Sequence, residues 1–534
     1  MELNPFEIKS EILRIINKYS NLTSLREVFL EDFELLDNSA NRNVISKLLF
    51  KELINTKSGR ELIVKFLLER YVEKEELIQK LWEILKNPLA SSEVKIIVLG
   101  FLRELETDWK YEDYENALGD DVDIVDEDTR QMLDTAIINP EVQIDFLDFL
   151  HAVDPKDRVL LINSLAEDYE KDALANVLIP VFLSQPDSEL GKEALNILGN
   201  SKSQLAYHAL NSSLEFVDDS IKPLVKKNLS TLKLSGVRED NSKDFYKAIL
   251  SKSKPYRCCV TYPDGHGNQA IIFSRTNEAK RVQFAAVVVN DYNGIRDCFG
   301  FNDISQFECD KIIERFYKGE EVLNVSANVV KTLLIYYEKL SKVKYNNWLL
   351  PYEYVCWKNL LADIDYEVKT FEELLVDCFD GQKLSNTELA TLFGEEFFSK
   401  WFLNSDYSPE FEMLLNKLNH RVKENLSSVD FDKVIEENLN VIFDNTEKLI
   451  RAKRLLLCAY LKLVDKKPET SRKLCTIYKD SENFNYLLTL ILKRSIYEYY
   501  VNLKFNTEEN ADRFSLKELD EIISAIEKRW VHNV

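Results

Sequence analysis

Glycine and proline are scarce, with 13 and 12 copies in 534 residues. That scarcity excludes long flexible or proline-rich linkers. Histidine is rarer still: only His151, His208, His266, His420 and His532 are available for acid–base or metal chemistry. The eight cysteines include no CxxC pair, so no zinc ribbon or dithiol redox centre is written in the chain. No apolar run approaches the ~20 residues a bilayer span needs; RLLLCAYLKLV, from Arg454, is typical of the longest. The opening MELNPFEIKSEIL has no basic stretch ahead of an apolar core, which predicts no secretory leader. GxGxxG, Walker, HExxH and GxSxG patterns are all missing. These absences predict a reduced, cytoplasmic protein with no cofactor and no metal.

What is present is apolar and charged. Apolar residues make up 45% and charged residues 30%, the composition of a folded chain and not a disordered one. The length implies three or four domains or a repeat array. The net charge of −22 disfavours nucleic acid and anionic membranes as partners of the whole molecule, and favours a basic protein partner.

From Pro5 to about Gly236 apolar residues recur at helical spacing. In FEIKSEILRIINKY, Phe6, Ile8, Ile12, Ile15 and Ile16 are expected near one face. Several segments resemble one another: SSEVKIIVLGFLREL from Ser91, DPKDRVLLINSLAED from Asp154, DSELGKEALNILGNS from Asp187 and DSIKPLVKKNLSTLKLSG from Asp219. Each opens on Ser or Asp as a helix cap and continues into a Leu-rich face. Over Ser91–Gly236 the chain resembles the short, phycobilisome-lyase-type HEAT-like repeats of bacteria, with Gly199 and Gly236 matching their helix-ending glycines. The resemblance implies an α-solenoid over residues 1–240, made of stacked helix pairs that bind proteins along an extended face. The stretch Trp109–Thr129 interrupts the period. Its acidic run Gly119–Thr129 lacks the glycine and final glutamate of a calcium loop and reads as solvated.

Residues 250–320 break the pattern. Arg257–Tyr262, Gln269–Arg275 and Arg281–Asp291 are rich in β-branched and aromatic residues and are joined by turn sequences. They predict a three- or four-stranded antiparallel meander, covered by a helix capped at Ser305. Gly265, Gly267, Gly294 and Gly300 are expected to serve turns with positive φ. Residues 251–300 carry seven Lys and Arg against four acids, a basic island on an acidic chain.

The module has the letters of three chemistries. PDGHG, with Asp291 and Asp297, offers metal-type ligands but no ligand spacing. Pro263-Asp264 and Glu278-Ala-Lys280 have the letters of a PD-(D/E)xK nuclease, yet Glu278 and Lys280 fall in a turn. Cys258, Cys259, Cys298 and Cys309 match no zinc pattern, and strand alternation places one of the adjacent pair inward.

From Val325 to the end the helical period returns, giving a third region, residues 325–534. Pro351 and Pro409 mark helix starts, and Ser515 with Glu518 forms a capping box. Aromatic residues cluster here. Helical spacing favours a core role, but Phe397, Phe398, Trp401, Phe402, Tyr497, Tyr499 and Tyr500 are the candidates for a partner surface.

The sequence therefore predicts a mainly α protein: an N-terminal solenoid, a small central α+β module and a C-terminal helical domain. The expected function is non-enzymatic, a scaffold or protein–protein interaction protein. The alternative is an enzyme, or a sensor of a small ligand or phosphate, with Asp264, His266, Asn268, Arg275, Asp291 and Arg296 around PDGHG.

Overall fold

A computed structural model describes residues 4–20, 28–39, 41–55, 60–87, 89–105, 130, 132–133, 136, 139–238, 242–318, 321–341, 349–404, 408–505 and 514–530. The whole interrupting stretch Trp109–Thr129, with its acidic run Gly119–Thr129, and His532 lie outside these residues. The chain is 67% helical with one five-stranded antiparallel sheet. It divides into two compact units, Met1–Asp134 and Thr135–Val534. The division falls inside the expected 1–240 region, whereas the expected 250–320 and 325–534 regions both lie in the second unit.

The first unit is helical: α1 (Pro5–Lys18), α2 (Arg42–Ile54), α3 (Glu61–Tyr71), α4 (Lys74–Leu85) and α5 (Ser92–Leu105). Asn4 and Glu7 close a capping box on α1. Ile8, Ile12, Ile15 and Ile16 are buried in a core shared with α2–α5, but Phe6 is 86% exposed. It lies two residues before Ile8, about 200° around the helix, and so falls off the buried stripe. Neighbours in sequence are neighbours in space: α2 packs on α3 and α4 on α5.

The second unit opens with α6 (Pro140–Ala152), α7 (Arg158–Asp168), α8 (Lys171–Ser184), α9 (Glu189–Gly199), α10 (Gln204–Ser213), α11 (Lys222–Leu234) and α12 (Ser242–Ile249). Each of α6 to α9 contacts the helix two places on. Then come β1 (Ser253–Thr261), β2 (Asn268–Asn277), β3 (Arg281–Asn290), β4 (Gly294–Ser305), α13 (Gln306–Phe316) and β5 (Val322–Asn324), in sheet order β4-β3-β2-β1-β5. The predicted meander is β1–β4; the fifth strand pairs Cys259–Thr261 with only three residues.

Both sheet faces are covered. The Ser305–Glu308 capping box starts α13, which buries Ile272, Val282, Phe284, Ala286 and Ile304 on one face. The helices α14 (Ala327–Leu340) and α15 (Tyr352–Trp357) contact the sheet as well, α15 packing also on α6 and α8. Because neither face is open to water, both Cys258 and Cys259 are buried, where alternation alone predicted one.

The glycines of this module serve two needs. Gly267 and Gly294 do have positive φ, at 80° and 75°. Gly265 and Gly300 do not; they permit close approach. A Cβ on Gly300 would lie 2.2 Å from the Trp357 ring, and one on Gly265 would lie 2.3 Å from the Phe402 carbonyl oxygen.

Apart from short single turns, the helices that follow are α16 (Asn386–Phe393), α17 (Pro409–Asn425), α18 (Phe431–Ile442), α19 (Asn445–Val464), α20 (Pro468–Lys479), α21 (Ser481–Phe505) and α22 (Leu516–Trp530). The stretch NTELATLFGEEFFSKWFL is not one helix. It ends at Phe393, makes a single 3-10 turn at Glu396–Phe398 and runs on without helix to Asn404.

Candidate functional site

Alternate connections of an antiparallel meander emerge at the same end of the sheet. The β1–β2 loop, PDGHG, therefore meets the β3–β4 turn at Asp291–Asn293. Asp264 closes its own loop: Oδ1 accepts the amides of His266 (2.8 Å) and Asn268 (2.9 Å), and Oδ2 accepts the Asn268 carboxamide (3.1 Å). The Asp291 amide donates to the Gly267 carbonyl at 3.1 Å. Asn290 Nδ2 donates to the His266 carbonyl (3.0 Å) and to Asn268 Oδ1 (2.9 Å). Asp264, His266, Asn268 and Asp291 are thus brought together at one end of the sheet.

A residue absent from that reading holds them. Arg454, on α19, is 1% exposed. It donates to both oxygens of Asp291, at 2.6 and 3.0 Å, and to the carbonyls of Asp264 (3.2 Å) and Gly265 (2.6 Å). Its guanidinium lies 5.8 Å from the ring centres of Tyr292 and Trp401. Burial works against the Arg454 charge, and the Asp291 carboxylate more than offsets it, holding the guanidinium above its ordinary value. Such a bidentate, desolvated pair fixes geometry strongly.

The same helix supplies two further buried cations. Arg451 pairs with Glu447 at 3.3 Å and stacks 4.9 Å from the Phe443 ring, and Glu447 also accepts from the Tyr292 hydroxyl at 2.7 Å. Burial, reinforced by Arg454, pushes Arg451 below its ordinary value. Lys462 reaches Glu321 at 3.3 Å and lies over Phe397 (4.0 Å) and Tyr262 (4.3 Å).

The segment after α16 completes the clasp. The Gly265 amide donates to the Lys400 carbonyl at 2.9 Å, the Trp401 indole to the Pro263 carbonyl at 2.9 Å, and the Asn404 amide to His266 Nε2 at 3.0 Å. Accepting at Nε2 requires the neutral imidazole, and burial lowers the His266 pKa accordingly; Asp264 opposes this while Arg451 and Arg454 add to it.

The other candidates lie apart. Arg275 is near the opposite end of β2 and 2% exposed; its donors are taken by Asp363, the carbonyls of Leu360 and Ser253, and the Ser253 hydroxyl, at 2.8–3.2 Å. Arg296 occupies the β4 bulge opposite Val288 and Val289, half-exposed and with contacts of its own.

Among the aromatic candidates, Phe397, Phe398, Trp401 and Tyr500 are core, none more than 4% exposed. Phe402, Tyr497 and Tyr499 are half-buried. Tyr499 accepts from Asn419 at 2.7 Å, and Tyr497 donates to Glu527 at 3.0 Å.

No three His, Cys, Asp or Glu side chains converge as a metal-ion set among the described residues. All eight cysteines are buried and unpaired, and burial pushes the Cys258 thiol up to about 11, away from thiolate chemistry. An open groove of about 250 Å³ lies elsewhere on the module, lined by Arg257, Cys259, Ile313, Glu314, Tyr317, Val322 and Asn324. Among the described residues no helix is long and apolar enough to cross a membrane. Comparison with protein-family models, with curated proteins and with solved structures returned no match.

Proposed function

We propose that the protein is a non-enzymatic interaction or scaffold protein that works through its helical surfaces and takes a protein partner, with a basic one favoured by the net charge of −22. The observation that carries this reading is the state of the PDGHG loop. Its polar side chains resemble a catalytic set, yet Asp264 is spent on its own loop, Asp291 on Arg454, and His266 Nε2 on the Asn404 amide. A general base or a ligand-binding carboxylate needs capacity facing a substrate. The stacked helices of the HEAT-like resemblance supply extended surface in its place, and Leu160 and Leu234 stand 68% and 90% exposed on α7 and α11.

The test is affinity capture of a stoichiometric partner with the full chain, repeated with Leu160→Asp and Leu234→Asp and with His266→Gln. The reading expects capture to depend on the helical surface and to survive the histidine change. Loss of a measurable turnover in His266→Gln, with the fold intact, would restore the enzyme reading.

A further inference from the structure

The groove beside Arg257 is separate from the PDGHG clasp, and its chemistry is uncommitted. It lies where β5 stops. That strand pairs only Cys259–Thr261, so the preceding part of β1 has α13 and open solvent beside it. The floor and walls are apolar: Val322, Ile313 and the Tyr317 ring, with Cys259 only 1% exposed at the base. Three polar side chains line the rest, Arg257, Asn324 and Glu314.

Each is held in a way that leaves ligand-binding capacity. Asp310 Oδ1 forms an ion pair with Arg257 Nε at 3.3 Å, without a hydrogen bond between them, and its Oδ2 accepts the Tyr256 hydroxyl at 3.0 Å. Among the described residues neither Nη nitrogen of Arg257 donates a hydrogen bond, and the side chain is 40% exposed. The Cys259 thiol donates to Asn324 Oδ1 at 3.4 Å, which orients the carboxamide and leaves its Nδ2 as a free donor. Glu314, in the last turn of α13, is exposed and acts only as an acceptor. The Tyr317 hydroxyl is committed to the Cys259 carbonyl at 3.5 Å, so that residue contributes its ring.

We propose that this groove binds an apolar α-amino acid. Arg257 and Asn324 take the α-carboxylate, Glu314 takes the α-ammonium, and the Val322–Ile313–Tyr317 surface takes the side chain. Two observations select this chemistry. The groove, about 250 Å³ and open to solvent, sets an apolar wall of Val322, Ile313 and Tyr317 beside the polar Arg257, Asn324 and Glu314, which suits a small ligand with one apolar and one charged end. Glu314 and Asp310 flank the arginine, which penalises a phosphate dianion and tolerates a zwitterion. The inference does not depend on the scaffold reading.

The carboxylate and the apolar side chain, but not the α-ammonium, could also be supplied by the last residue of a peptide, and the experiment separates that source from a free amino acid. Binding of L-leucine, N-acetyl-L-leucine and L-leucinamide to the full chain is measured by calorimetry and thermal shift, up to about 10 mM, where even a millimolar Kd saturates. Saturable binding of leucine, with leucinamide weakened at least ~10-fold, is the expected result. Acetyl-leucine failing beside leucine assigns the free amino acid; equal binding assigns a peptide C-terminus and overturns the ammonium role of Glu314. Arg257→Gln should weaken leucine at least ~10-fold with an unchanged urea midpoint. If that variant does not fold, Asn324→Leu, at an exposed rim position, carries the same prediction. Binding by none of the three compounds, or leucinamide binding as well as leucine, overturns the proposal.

Discussion

Arg454→Met would leave the Asp291 carboxylate and the carbonyls of Asp264 and Gly265 buried without their donor. Breaking such a pair from one side costs about 3–5 kcal/mol, read as a fall in the urea midpoint of the second unit. Lys383→Ala, which removes an exposed partner of Glu482, should leave that midpoint unmoved. His266 makes a pH prediction. Its folded pKa lies below 6.5, so as pH falls through that value the unfolded chain binds a proton that the folded chain refuses. The stability this group contributes is complete above 6.5 and is lost between 6.5 and the folded value. Denaturation at about pH 5.5 and about pH 7.5 should show a steeper acid loss in the wild type than in His266→Gln. Asp264, His266 and Asp291 stood out in the sequence because three polar residues beside glycine-rich turns are conspicuous. Arg454 did not, since it lies 163 residues from Asp291 and no local pattern links them. A signal was there: Arg451, Arg454 and Lys462 share one Leu-rich helix, and charges inside an apolar stripe must find buried partners.

At the scale of elements, close packing decides what each segment tolerates. Gly300→Ala would drive a Cβ into the Trp357 ring and the Phe284 carbonyl, 2.2 and 2.6 Å away. The overpacking should cost about 1–3 kcal/mol. Gly100→Ala is the counterpart: it lies within α5 with nothing within 4 Å of the added Cβ, and should stabilise its unit by about 0.5–1 kcal/mol. Thermal melts of the two variants should move in opposite directions. The meander was legible because alternating β-branched residues and turn residues are local signals, as were the helix cap at Ser305 and the capping box at Ser515. The fifth strand was not, because three residues carry no periodicity and exist as a strand only through pairing with Cys259–Thr261. The FFSKW segment misled for a related reason. Its rings are core, yet a 3-10 turn and contacts with PDGHG and α19, not helical spacing, place them. The sheet edges are managed as well. The Glu141 carboxylate of α6 accepts the β4 amide of Asn302 at 3.0 Å, and beyond β5 the β1 edge carries Lys254, Pro255 and a bulge.

For the whole molecule, the division between Asp134 and Thr135 predicts that residues 135–534 fold without the first unit. That fragment should melt cooperatively and keep its helical signal; a molten, aggregating product would contradict the division. Within it, helices before and after the sheet converge on the same strands, so the central module is built into its unit and not attached by a linker. Sequence periodicity could not convey this, because it records which face of a helix is buried and not which distant segment buries it. PDGHG works as a structural clasp, held by Arg454 and by the segment after α16. Hydrogen exchange at the amides of Gly265, Asp291 and Asn404, compared in wild type and Arg454→Met, tests it most directly. Slow exchange at all three in the wild type, lost together in the variant, is the predicted result. Fast exchange at Gly265 and Asn404 in the wild type, unchanged by the substitution, would contradict it.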